Sequence, residues 1–233
     1  MSASNYFLLS SLPHLGELAD APPISAAGLL ERIRQSNGPE GLIETIFLAD
    51  DLLQRDALQA GEIDQADPAV LTEDQLSGQT PLPAFLAAGD DAPRRIAADA
   101  VWAAYYRHAA RTAGAGTFLA AWVAWEVALR NTLAEARART LDLEVDPYLV
   151  APDLGDSDAD FTRLINEHSA AGDPLAAMQA VDRARWAWLG EHEAWFTFGD
   201  DELAVYAARL VLITRWQRLG KAQAEKEHAE SAG

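Results

Sequence analysis

Cysteine is absent from this 233-residue chain. That removes disulfides, thiolate nucleophiles and cysteine-bound zinc, and it agrees with a reducing compartment. Lysine is scarce: Lys221 and Lys226 are the only two among 18 basic residues, which face 36 acids for a formal charge of −18. A charge of that sign repels phosphate backbones and anionic lipid, so nucleic acid and membrane surfaces are disfavoured as main partners and a basic partner is favoured. No run approaches the roughly 20 uninterrupted apolar residues of a membrane span, and no direct span is expected. The opening "MSASNYFLLSSLPHL" has neither the positive start nor the long apolar stretch of a secretion signal, which makes a cytoplasmic location the expectation.

Signatures of common chemistries are missing as well. There is no glycine loop followed by a phosphate-binding lysine, no nucleophile elbow and no dinucleotide fingerprint. The five histidines, at 14, 108, 168, 192 and 228, show no recognised ligand spacing with acids. "EHEAW" at 191–195 is superficially similar to a zinc-protease helix, but the second histidine would have to stand where Phe196 is. Neither a metal nor a cofactor is expected. The pairs Asp50/Asp51 and Asp200/Asp201 offer carboxylates for acid/base work. Adjacent helical residues point apart, however, and acids at a helix start complement its dipole, so capping is the favoured role.

What the chain does have is apolar residues, 49% of the total, with 23% charged, as in ordinary globular proteins. Its length allows one large domain or two small lobes that bury about 70% of their unfolded surface. Charge is unevenly placed. Residues 39–79 hold ten acids against Arg55 alone, whereas residues 93–141 hold seven arginines against three acids. Two faces of opposite sign, or simply solvated faces, follow from that pattern.

Helical signals dominate. The first 24 residues read as an irregular or short extended opening that ends at "DAPP"; Ser25 then caps "AAGLLERIRQ", which Asn37 and Gly38 stop. A second helix carries Leu42, Ile46, Leu53 and Leu58 and ends at Gly61. Prolines 68, 81 and 83 among glycines and acids make 67–92 a linker-like segment with one short helix near "TEDQL". Two long helical patterns follow, separated by "GAG" at 114–116, as an αα-hairpin or a kinked continuous helix. Beyond the loop "VDPYLVAPDLGDSD", Asp158 is placed to cap the next helix, Asp173 and Pro174 open another, and "FGDDE" starts the last. Its apolar stripe is Leu203, Tyr206, Leu210, Ile213 and Trp216. The expected fold is an all-α multi-helix bundle, divided as 1–66, 67–92, 93–220 and a solvated or frayed tail 221–233.

Seven tryptophans, at 102, 122, 125, 186, 188, 195 and 216, are suited to filling the space between helices, and those beside arginine are also suited to anchoring a partner. In "WVAWEVALRNTLAEARA", Phe118, Trp122, Trp125, Leu129 and Leu133 form one arc at about 100° per residue, and Glu126 falls within it. A carboxylate there needs a partner: Arg130 one turn on, or an arginine from another helix such as Arg185. The arrangement reads either as an ion pair that locks helix register or as a ligand or partner site. Asn131 lies on another side, among alanines.

"NYFLLSSLPHL", "FLAAWVAWEVALRNTLAEARARTLDLEVDPYL", "DPLAAMQAVDRARWAWL" and "LAVYAARLVLITRWQRL" together resemble the bacterial family known as domain of unknown function 2764. Members of that family are typically encoded with subunits of bacterial V-type (A/V-type) ATPases. The resemblance implies a non-catalytic coupling role in proton or sodium transport, like that of the all-helical central-stalk component (C, or d in eukaryotes) that seats the rotor shaft on the membrane ring. Implied partners are the rotor-shaft and membrane-ring subunits, which would hold the protein at the inner membrane. The positions that carry over are Glu126, Arg130 and Asn131 from "WEVALRN", Asp182, Arg185 and Trp186 from "DRARW", and Arg215 and Trp216 from "TRW". Two other roles compete: a small-molecule-binding helical protein or enzyme with Glu126, Arg130 and His108 in an interhelical cavity, and a cytosolic helical scaffold.

Overall fold

The computed structural model describes residues 3–87, 96–113, 117–193 and 197–231. Among them the regular structure consists of ten α-helices and two short 3-10 turns, with no strand, so the fold is all-α. The helices are α1 (Ala3–Ser11), α2 (Ala26–Gln35), α3 (Glu40–Ala60), α4 (Glu73–Ser77), α5 (Ala84–Ala87), α6 (Ala97–Ala113), α7 (Phe118–Thr140), α8 (Thr162–Ala170), α9 (Pro174–Glu191) and α10 (Asp200–Ser231). The chain divides into two compact units, one built from residues 1–47 and 166–233 and the other from residues 48–165. Both divisions fall inside helices, α3 and α8, and the segment 67–92 lies within the second unit.

Local chemistry accounts for several helix starts. The Ser25 side chain accepts from the amide of Gly28 at 3.1 Å, and Asp173 accepts from Ala176 at 2.8 Å with Pro174 in the first turn. Thr72 and Gln75 form a reciprocal capping box on α4, where Gly78 closes the helix at φ +79°. Asp158 does not cap α8. The helix begins later, at Thr162, whose amide donates to Asp160 at 2.9 Å, while the Asp158 amide is turned back onto Asp156. An Asx-type turn thus uses up the residues that the sequence offers as the first turn.

Two further features concern the chain ends. The opening stretch contains the nine-residue helix α1 before an irregular path to Ser25. A helix this short is marginal in isolation, so tertiary contacts decide it. Leu8 is buried, and Asn5 donates to Asp200 at 2.6 Å. At the other end, α10 keeps helical backbone through the expected tail to Ser231.

In the first unit, α9 packs on α10 and α10 on α2. Leu29, Leu30, Ile33, Ile43, Leu189, Leu203, Leu210 and Ile213 are each at most 1% exposed and form its core. Burying a side chain of this size stabilises by about 1.5–3 kcal/mol. Of the stripe on α10, Tyr206 and Trp216 are half-buried and the other three residues are fully enclosed.

The second unit is centred on α6 against α7, with α5 on α6. Small side chains on α6, Ala103 and Ala109, are fully buried and permit close approach to its neighbours. On α7 the expected aromatic arc is present: Phe118, Trp122 and Trp125 stack in succession at 6.3 and 5.6 Å, and Phe161 meets Trp125 at 5.4 Å. The "GAG" at 114–116 lies outside the described residues, but α6 and α7 are separate helices packed together, as in the hairpin reading.

Candidate functional site

In the second unit, Asp99 sits in the first turn of α6 and is 4% exposed. Its Oδ1 accepts from Arg130 Nη2 on α7 at 2.9 Å, and the same guanidinium lies 4.8 Å from the centre of the Trp102 ring. Trp102 in turn donates its indole N–H to Asp56 on α3 at 2.8 Å. The acid that takes up Arg130 is therefore Asp99, 31 residues away in sequence, and the expected pairing with Glu126 gives way to it. Crossing from one helix to another, this contact links α6 to α7, which an i to i+4 pair on a single helix cannot do.

Glu126 is half-buried on the same helix, close enough to Tyr105 to influence its titration. Burial holds the Tyr105 hydroxyl proton well above the ordinary tyrosine range, and the neighbouring Tyr106 and Glu126 add to the effect. Asn131 clips the chain that follows α7: its Nδ2 donates to the Val150 carbonyl at 3.0 Å and its Oδ1 accepts from the Val150 amide at 2.8 Å. The next residue, Ala151, is held at φ +43°, a conformation that L-residues rarely adopt.

In the first unit, Asp182 on α9 has no exposure at all. Arg185, one turn onward, donates to its Oδ1 at 3.0 Å; Arg215 from α10 donates through Nε to Oδ2 at 3.1 Å and meets Oδ1 with Nη2. One carboxylate thus joins two guanidinium groups across two helices. Trp186 lies under Arg209, whose guanidinium is 4.7 Å from the ring centre and forms a close ion pair with Glu193. Trp216 is half-buried on α10. Arg185, an alternative partner for Glu126 on sequence grounds, is committed to Asp182.

The eight positions singled out from sequence thus fall into two clusters. Glu126, Arg130 and Asn131 belong to the second unit, and Asp182, Arg185, Trp186, Arg215 and Trp216 to the first.

Sequence reasoning misses three functional-looking groups. Asp99 gives no local signal. Asp51, in sequence only half of an acid pair, is 1% exposed and accepts the amides of Ala69, Val70 and Leu71 at 2.9, 2.8 and 2.7 Å. Burial pushes its carboxyl up to about 6 against the pull of those three amides. Tyr206, in sequence only part of a stripe, donates its hydroxyl to the Pro13 carbonyl at 2.8 Å, and burial pushes it up to about 12. A mid-helix Asp is the one signal that invites a closer look at Asp51.

Tyr206 and Arg209 border a hollow of about 410 Å³ in the first unit, with Leu9, Leu12, Trp186 and Val205. A second hollow, of about 340 Å³, lies in the second unit between α3, α5 and α6. Glu126, Arg130 and His108 line neither of them. His108 instead stacks on Phe85 at 4.1 Å, and burial, with Arg111 nearby, holds it below the ordinary histidine range. Among the described residues no group of three or more histidines and acids could hold a metal ion, and no helix is long and apolar enough to cross a membrane. Trp195 and Phe196 lie outside the described residues.

Fold and clusters together define an all-α protein whose charged side chains tie one helix to another. Residues 82–230 match the family described as "Protein of unknown function (DUF2764)", and the chain belongs to that family. No curated protein and no solved structure matches it.

Proposed function

We propose that this protein is a non-catalytic structural and coupling subunit, or an accessory factor, of a bacterial V-type ATPase. In that role it contacts the rotor-shaft and membrane-ring subunits, is cytoplasmic and peripheral to the inner membrane, and serves proton or sodium transport. The quoted segments that resemble family members encoded with such ATPases support the reading. So does the net charge of −18, which suits a basic partner.

The observation that carries it is the Asp182 cluster, where an enclosed carboxylate joins Arg185 and Arg215 across α9 and α10. Transmitting force without deformation requires helices that resist sliding. Separating a buried pair by removing one partner costs about 3–5 kcal/mol, so the cluster opposes any shift of register between its helices.

Purification of the tagged full chain from its native cells, under conditions that keep the ATPase assembled, tests the proposal. Rotor-shaft and ring subunits are expected to accompany it. Recovery of the chain alone, while the intact ATPase is recovered in parallel through another of its components, would overturn the reading.

A further inference from the structure

Arg55 is the anomaly of the second unit. Its side chain on α3 is only 16% exposed, yet the nearest carboxylate oxygen, Oδ1 of the adjacent Asp56, stands 3.7 Å from Nη1. That is beyond hydrogen-bonding range. The other Asp56 oxygen already accepts the Trp102 indole at 2.8 Å, and Arg55 Nε is buried with no acceptor. Compare Arg130, Arg185 and Arg215, each of which donates directly to a buried aspartate. A buried Nε–H without an acceptor is unfavourable, because it gives up hydration and the 3.7 Å pairing of Nη1 with Asp56 leaves it unbonded.

Arg55 also forms part of the wall of the hollow of about 340 Å³. The rest of that wall is mostly apolar: Pro81, Leu82, Leu86, Ala100 and Val101. In a chain with twice as many acids as bases, none of the described residues that line it is acidic. Gln75 is partly engaged, since its Oε1 accepts from the Thr72 amide and one Nε2 N–H donates to the Pro81 carbonyl, which leaves its second N–H. Among the described residues, the polar side chains that can meet a guest are Arg55, the remaining N–H of Gln75 and the exposed Thr80.

We propose that this hollow is a binding site for a monocarboxylate carrying an apolar body. The carboxylate pairs with the Arg55 guanidinium, whose planar donors suit it, while the body lies along Leu82, Leu86 and Val101. The volume is within the range of small-ligand sites, which runs from about 300 Å³ upward. A phosphate fits less well, because its second charge and third oxygen would find no further cation among the described residues of this wall. The same chemistry is offered by a free aliphatic acid and by the C-terminal carboxylate of a peptide ending in leucine. The site is independent of the proposed coupling role.

Calorimetric titration and melting of the full chain decide the matter, with sodium hexanoate, its neutral analogue hexanamide, and a leucine-ending peptide in free-acid and C-terminally amidated forms. Saturable binding of hexanoate or the free-acid peptide is expected, at least about tenfold tighter than the matching amide. A ligand at ten times its Kd should raise the Tm by roughly 3 °C. Preference for the peptide over hexanoate identifies a protein C-terminus as the source of the carboxylate, and the reverse identifies a small acid. Arg55→Met should weaken carboxylate binding at least about tenfold without lowering the ligand-free Tm. Ala100→Phe fills the hollow, leaves Arg55 in place and should abolish binding, which keeps the test decisive if the arginine variant folds poorly. The proposal is overturned if neither carboxylate binds saturably, if the amides bind as well as the acids, or if Ala100→Phe binds as tightly as the natural chain.

Discussion

Asp182 and Asp51 are both closed off from solvent, 0% and 1% exposed, and each belongs to a different unit of the chain. Asp182 answers burial with charge, since two guanidinium groups converge on it from α9 and α10. Asp51 answers with backbone: three successive amides at Ala69, Val70 and Leu71 close on its two oxygens and tie the segment after α3 back onto the helix. The same side chain therefore serves two ends. In one unit it fixes the register of helix against helix, and in the other it gives a loop the acceptor that a helix or sheet would otherwise supply. Neutral amides only partly offset desolvation, which is why Asp51 is pushed up to about 6.

Removing Asp182 should have the larger effect. Asp182→Ala takes the common carboxylate from Arg185 and Arg215, and a loss of about 3–5 kcal/mol in urea unfolding is expected. Replacing all three residues by apolar ones of similar volume should recover most of it, because the cost lies in breaking the cluster and not in lacking one. A loss smaller than that of Asp51→Ala would remove the distinction between the two regions.

For Asp51→Ala the expected loss at neutral pH is about 2–3 kcal/mol, since three amides lose their acceptor. Its pH dependence sharpens the comparison. With the folded value raised from 3.8 to about 6, the native state keeps a proton that the unfolded chain has already released. Stability from this group is therefore complete below the lower value and declines as pH rises through the upper one. The advantage of the natural chain over Asp51→Ala should shrink by up to about 3 kcal/mol between those limits. Unfolding curves across the acid range measure it directly, and a gap that is flat or widens with pH would contradict the account.

The smallest effect is expected at an exposed pair. Arg139 and Glu135 lie one turn apart on α7, with side chains 71% and 39% exposed. Arg139→Ala should change stability by no more than about 0.5 kcal/mol, and less in high salt. A cost approaching that of Asp51→Ala would mean that burial is not what separates strong from weak charges in this protein.

How far each group can be read from sequence follows from the same geometry. The caps Ser25 and Asp173 are legible because a helix start is decided within about four residues. The aromatic arc of α7 is legible from its 3.6-residue period. The pairing of Asp99 with Arg130 is not, because 31 residues separate them and no local pattern marks Asp99 as an ion-pair partner. Asp182 and Arg215, 33 residues apart, each stand out by resemblance, but nothing local joins them. Asp158 misleads because the competing turn at Asp156 and Asp160 delays the helix.

Sequence alone thus determined the helical class, most element boundaries and which residues carry unusual polarity on apolar faces. These depend on backbone sterics and on interactions reaching one turn along the chain, and they act before any tertiary contact exists. The tertiary structure decided which charge meets which, that α1 forms at all, and that the Arg55 Nε–H is buried without an acceptor. Those outcomes depend on distance through space and on exclusion of water, and both arise only once the helices have packed.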